Sequence, residues 1–221
     1  MNIHFAPADT FWLLFTSALI FFMQPGFAML EAGLTRAKNA GNIVMKNLMD
    51  FALGTLAFWA VGFGLMFGSD IDGLIGMPDL FSQHLTVGSG ATYPILAFVL
   101  FQTVCCVIAA TIVSGAMAER SKFSAYCIAS VLISLFVYPI VGHWIWGGGW
   151  LAAMGFHDFA GAVLVNLTGG VCAFAGARLI GPRIGKYRRD GSVNAIPGHS
   201  LPLACLGLFI LWFGWFGFNG G

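Results

Sequence analysis

The sequence predicts an all-α polytopic membrane protein, a bundle of about six membrane-crossing helices. Three observations predict it. The first is composition: of 221 residues, 58% are hydrophobic and 9% are charged, whereas a soluble domain carries about a quarter Asp, Glu, Lys and Arg to keep its surface solvated. The mean hydropathy of +0.86 agrees. The second is that apolar residues gather into six runs, at about 10–33, 45–68, 92–118, 123–143, 159–180 and 199–221. Each run reaches the roughly 20 residues a helix needs to cross about 30 Å of hydrocarbon. The third is that the ten Lys and Arg fall only in alternate connections. A β-barrel is excluded because barrel strands alternate apolar with polar residues, and these runs do not.

The run at 10–33 follows a polar start with no basic segment and no small-residue cleavage site, so it reads as a spanning helix and not as a cleaved leader. Gln24-Pro25-Gly26 inside it predicts a kink or local unwinding. Glu31, Arg36 and Lys38 near its end predict an interfacial ion-pair network of structural role. Arg36, Lys38 and Lys46 are assigned to the first connection, and the second carries Asp70, Asp72 and Asp79. Arg120 and Lys122 separate the third and fourth runs. After the fourth, Trp144, Trp146 and Trp150 surround Gly147-Gly148-Gly149, where tryptophan ordinarily anchors at the membrane interface. Asp158 opens the fifth run, and Arg178, Arg183, Lys186, Arg188 and Arg189 close or follow it. The stretch 181–198 is the one linker-like segment, ending on Pro197-Gly198. The sixth run reaches Gly220-Gly221, and five and a bit helices read as part of a larger bundle. By the positive-inside rule the basic connections are cytoplasmic and the N-terminus is outside.

Enzyme signals are missing. There is no Ser-His-Asp arrangement and no H-E-x-x-H, and the triple glycine lacks the Lys-Ser/Thr that a phosphate loop needs. No catalytic residues and no cofactor are expected. Cys105, Cys106, Cys127, Cys172 and Cys205 all lie in apolar runs without a C-x-x-C pair, and read as small buried hydrophobes and not as metal ligands. A net charge of +1 gives no reason to expect nucleic acid. His4, His84, His143, His157 and His199 stand at run ends or in loops, so neither His nor any charge is expected near the bilayer midplane. Polar groups inside the runs are costly and mark a pathway when they occur. Asn166 follows Asp158 by eight positions, about 12 Å further along a helix and within about 80° of the same face. Two readings stand: a helix cap with an interhelical Asn hydrogen bond, or a cation lure at a mouth with a polar station below it. Trp146 near that carboxylate suits a small cation through its ring face. Phe101 and Gln102 on the third run, with Phe216 and Phe218 on the sixth, are candidates to line a narrow passage.

A set of strings carries a resemblance. Pro25-Gly26-Phe27-Ala28, Glu31-Ala32-Gly33, Arg36 and Lys38-Asn39 are followed by Phe101-Gln102, Gly115-Ala116-Met117-Ala118-Glu119-Arg120 and Phe123-Ser124-Ala125. Then come His143-Trp144-Ile145-Trp146-Gly147-Gly148-Gly149, Asp158-Phe159-Ala160-Gly161 and Trp215-Phe216-Gly217-Phe218-Asn219. Spread over the whole chain and in order, they resemble the ammonium transporter (Amt/Mep/Rh) family. The resemblance implies eleven transmembrane helices in two inverted repeats, one pore per subunit, three subunits per trimer and a cell-membrane location. This chain would supply the first repeat and the sixth helix, with the N-terminus outside. It further implies that Phe101 and Trp146 recruit ammonium, that Asp158 shapes the vestibule, and that Phe218 is one of two gate rings. The family's vestibule serine and second pore His would fall beyond Gly221.

Two positions depart from the pattern. The second gate Phe is Cys105, and the first pore His is Asn166. A carboxamide donates and accepts hydrogen bonds but relays no proton near neutral pH, as an imidazole can. The resemblance therefore implies ammonium or ammonia transport, with Gln102 and Asn166 lining the pore. The alternative is an ammonium-binding sensor that conducts poorly. A PII-type regulator on 181–198 or a fused cytoplasmic signalling domain would be the partner.

Overall fold

The computed structural model describes residues 5–86 and 91–221; His4 lies outside them. Among these residues, six helices are long and apolar enough to cross a membrane. They are α1 (Pro7–Leu34), α2 (Ala37–Phe67), α3 (Ile95–Met117), α4 (Phe123–Ala153), α5 (Ala162–Ile180) and α6 (Leu201–Gly220). A two-stranded antiparallel hairpin, β1 (Asp70–Ile71) and β2 (Ile75–Gly76), follows α2.

Several ends differ from the apolar runs, each for a local reason. α1 consists of two helical halves, Pro7–Phe21 and Met23–Leu34, that meet at Phe22. Pro25 has no N–H to offer the Phe21 carbonyl, so the ladder breaks before the proline and not at it. α2 starts well ahead of residue 45, because Ala37–Asn39 form a 3-10 turn that runs straight into α-helix from Ala40. Lys46, read above as a loop charge, is consequently a helical residue 1% exposed. α4 continues past residue 143 to Ile145 and resumes as the short helix Trp150–Ala153. α5 begins at Ala162 because Gly161 adopts a left-handed φ of 74°, which halts the helix there. Asp158 thus lies in a loop, and helical spacing does not relate it to Asn166. Three stretches, Phe58–Gly62, Ile133–Val137 and Ala162–Leu167, are π-helical, a form often found at functional sites.

α3 is the axis of the bundle, with α1, α2 and α5 packed around it. It is apolar all round because it is buried all round. α6 lies along α1 in close approach. A methyl placed on Gly207 would sit 2.5 Å from the Leu30 nitrogen, and one on Gly33 would sit 2.6 Å from the Ala204 nitrogen. Without a hydrophobic driving force between helices in lipid, such small residues provide the packing.

Each end of the bundle is tied together. At the acidic end, His143 Nε2 lies 2.8 Å from Asp70 Oδ1 and its Nδ1 lies 2.8 Å from the Met66 carbonyl, while Trp144 Nε1 donates to the Leu74 carbonyl. At the basic end, Glu119 holds the three connections at once. Its Oε1 accepts from the Arg36 Nε at 2.9 Å and from the Asn39 amide, and its Oε2 lies 3.0 Å from an Arg183 nitrogen. The ion-pair network expected of Glu31 with Arg36 and Lys38 does not form: Arg36 goes to Glu119, and Glu31 turns inward to Ser114 and Asn47.

Candidate functional site

At the acidic end, α1, α3, α4 and α6 enclose a cavity of about 230 Å³ whose walls include Phe101, Gln102, Cys105, Trp146 and Phe218. α3 supplies three of these because positions 101, 102 and 105 share one helical face. Phe218 comes from the last turns of α6. Trp146 comes from the end of α4, where its indole Nε1 donates to the Asp158 carbonyl at 2.6 Å. Gly161 is pinned between the two rings: a methyl there would lie 3.3 Å from the edge of Phe218 and 3.3 Å from Trp146.

Asp158 acts twice without entering the cavity. Its carbonyl orients Trp146, and its carboxylate accepts the amides of Ala162, Val163 and Leu164 at 2.9, 3.0 and 2.8 Å. Those are free donors at the start of a helix, so the carboxylate serves as the cap of α5. The Asn166 amide donates to the Gly161 carbonyl of its own helix at 3.3 Å, and not across to another helix. Asn166 is exposed and does not line the cavity. Phe216, paired with Phe218 as a passage candidate, is 70% exposed and points away. Of the three tryptophans only Trp146 reaches the cavity, whereas Trp144 stacks obliquely on Trp150 with centroids 5.8 Å apart.

The chemistry of the cavity follows from this inventory. Six aromatic residues, Tyr93, Phe98, Phe101, Trp146, Phe159 and Phe218, contribute to its wall. No formal charge lines it. Gln102 is 4% exposed, and its carbonyl Oε1 has no hydrogen-bond partner among the described residues. A buried carbonyl left without a donor costs about 1–3 kcal/mol. Ring faces and a bare carbonyl oxygen together present negative potential to a small cation. Among the described residues, no three His, Cys, Asp or Glu side chains gather as metal ligands would.

A second polar group was not anticipated from the sequence. Glu31, Lys46 and Asp50 are buried between α1, α2, α3 and α4, at 7%, 1% and 0% exposure. The expectation of a charge-free midplane is therefore corrected: Asp50 lies near the middle of α2, where it accepts from the hydroxyls of Thr111 and Ser130. The available signal was the spacing of Lys46 and Asp50, four apart on one helix, inside a run otherwise read as apolar.

A multi-pass membrane bundle with an uncharged, cation-directed aromatic cavity at one end is the class of protein these features define. The model of the Ammonium Transporter Family matches residues 11–221. Ammonium transporter Amt2 of Archaeoglobus fulgidus is 51% identical, covering 97% of this chain and 47% of its own. Ammonium transporter Amt1 of Haloferax mediterranei is 45% identical, covering 95% and 42%. Among solved structures, one described as a sensor Amt protein is 44% identical with a TM-score of 0.90, covering 96% of this chain and 53% of that one. Mep2 of Candida albicans is 28% identical with a TM-score of 0.83, covering 99% and 49%. The chain belongs to the ammonium transporter family, and it spans about half the length of the curated relatives it matches.

Proposed function

We propose that the protein of which this chain is part passes ammonium or ammonia across the cell membrane through a pore in each subunit, without ATP, a redox cofactor or catalysis. The observation that carries the reading is the buried, unpartnered Gln102 carbonyl in an aromatic cavity. Phe101 and Trp146 recruit the cation, Asp158 fixes Trp146 and caps α5, and Cys105 and Phe218 stand where a gate would close. Gln102 and Asn166 are the polar stations along the path. The acidic end faces outside with the N-terminus, and the basic end faces the cytoplasm. The protein assembles as a trimer, with the basic stretch 181–198 as the surface for a PII-type regulator.

Asn166 and Cys105 favour a second reading, in which the same fold senses ammonium and conducts it poorly. One of the structural neighbours is itself described as a sensor. In that case occupancy must favour one of two conformations, and a fused cytoplasmic signalling domain would read it.

Ammonium-evoked current through the full-length protein in proteoliposomes tests the first reading. Gln102→Leu removes a hydrogen bond to a charged ligand, worth about 1.5–3 kcal/mol, and is expected to cut the current about tenfold or more. An unchanged current removes Gln102 from the path. A silent wild type that still binds ammonium leaves the sensor.

A further inference from the structure

The Glu31–Lys46–Asp50 group has a charge arithmetic that its surroundings do not close. Asp50 is provided for, with one carboxylate oxygen accepting from Thr111 at 2.6 Å and the other from Ser130. Lys46 donates to the Ser114 carbonyl at 3.3 Å and stands 4.4 Å above the Tyr126 ring. It forms no ion pair within 4.0 Å among the described residues, so its charge acts through space on two acids and balances one of them. Glu31 is half provided for. Its Oε2 accepts from Ser114 Oγ at 2.8 Å, with the Asn47 amide at 3.5 Å, while its Oε1 has no hydrogen-bond partner among the described residues. That oxygen borders open space, where a cation, water or a proton can meet the carboxylate.

Glu31 also lines a second cavity, of about 310 Å³, opening toward the basic end beside Thr35 and Arg183. Its walls include Phe27, Leu30, Thr111 and Gly115. A methyl on Gly115 would sit in ordinary contact with the carboxylate, 3.8 Å from Oε1, so glycine keeps that space unfilled. A water molecule occupies about 30 Å³ in the liquid, so the cavity has room for a small cation and several waters. Arg183 at the mouth would repel a cation, but Glu119 Oε2 lies 3.0 Å from it and offsets its charge.

Both cavities lie along α3. The first is walled by Phe101, Gln102 and Cys105 and the second by Thr111, Ile112 and Gly115. From Gln102 to Thr111 is about 14 Å of helix. α5 crosses between them, with a methyl on Gly169 placed 2.7 Å from the Ala109 carbonyl. Asn166 precedes that crossing by one turn.

We propose that the second cavity is a monovalent-cation site reached from the basic end, with Glu31 Oε1 as its anionic ligand. The site stands on the geometry above; that its natural occupant is ammonium rests on the conduction reading.

Crystals of the full-length protein soaked in thallium(I) acetate test it by anomalous scattering. A peak is expected in contact with Glu31 Oε1. It is expected to vanish in Glu31→Gln, which keeps an acceptor for Ser114 and loses only the charge. A peak in the Gln102 cavity would show that the soak reached the protein, and a wild-type map with that peak but none at Glu31 overturns the proposal. So does a peak that persists in Glu31→Gln. Should Glu31→Gln fail to fold, the wild-type map alone decides. Tenfold excess ammonium is expected to displace the thallium from Glu31; displacement by sodium and not by ammonium overturns the ammonium assignment. The two readings fail separately. A peak at Glu31 in a protein without ammonium current keeps the site and removes conduction, whereas current without the peak does the reverse.

Discussion

Asn166 closes a hydrogen bond onto the Gly161 carbonyl at the start of its own π-helical turn and is otherwise exposed. A carboxamide there holds a polar ligand but moves no proton, while an imidazole with pKa near 6.5 does both. Positioned proton transfer contributes about 10²–10⁴-fold where it limits the rate. Asn166→His is therefore expected to raise ammonium-evoked current at least about tenfold in liposomes of the full-length protein. An unchanged current would mean that proton relay at this position does not limit passage. The neighbouring candidates were legible to different depths. Phe101, Gln102, Cys105, Trp146 and Phe218 were named from the sequence, and the fold brings them to one cavity. For Asp158 two readings stood, cap or lure, and three amide partners take up the carboxylate as a cap. Its carbonyl bond to Trp146 was beyond sequence reasoning, because backbone acceptors leave no trace in residue identity.

The helices themselves were visible as apolar runs, yet their ends were not. Hydropathy sees burial against lipid and misses polar residues that a helix buries against its neighbours, which is why Lys46 was assigned to a loop and Asp50 passed unremarked. The close seam between α1 and α6 carries a prediction of its own. Gly207→Ala places a methyl against the Leu30 and Gly26 backbones, and such overpacking costs about 1–3 kcal/mol. Thermal unfolding of the full-length protein in detergent is expected to show a lower Tm; an unaltered Tm would mean that the seam gives way without strain.

The basic-end latch titrates. Burial pushes the Glu119 carboxyl up, but hydrogen bonds from Arg36 and Asn39 and the charge of Arg183 outweigh it, so it sits below its ordinary value of 4.5. A depressed carboxyl contributes stability that is fully present above the ordinary value and is lost as pH falls through the lower one. Glu119→Gln is accordingly expected to cost about 1–2 kcal/mol at neutral pH. As pH falls below that ordinary value and through the lowered one, the wild type should converge on the variant as its own carboxyl protonates. Equal Tm values for the two proteins at pH 7 would show that the three connections do not depend on the latch.

At the scale of the whole molecule, the alternation of basic and acidic connections and the family strings were readable end to end, and the bundle agrees with both. What composition hid was the interior. Scarce charge was taken to mean that all of it sits at the surfaces, and three charged groups instead occupy the core of the first four helices. Helix count follows from hydropathy, but where a charge is buried depends on which faces meet, and that is set by packing. The chain covers about half of its curated relatives.

Ammonium conduction is the proposal on which the rest depends. The most direct measurement is current through the full-length wild-type protein in proteoliposomes under an inward ammonium gradient, beside equal gradients of sodium and potassium. A saturable current is expected for ammonium, with none for sodium or potassium. Saturable ammonium binding with no current under any gradient would contradict it.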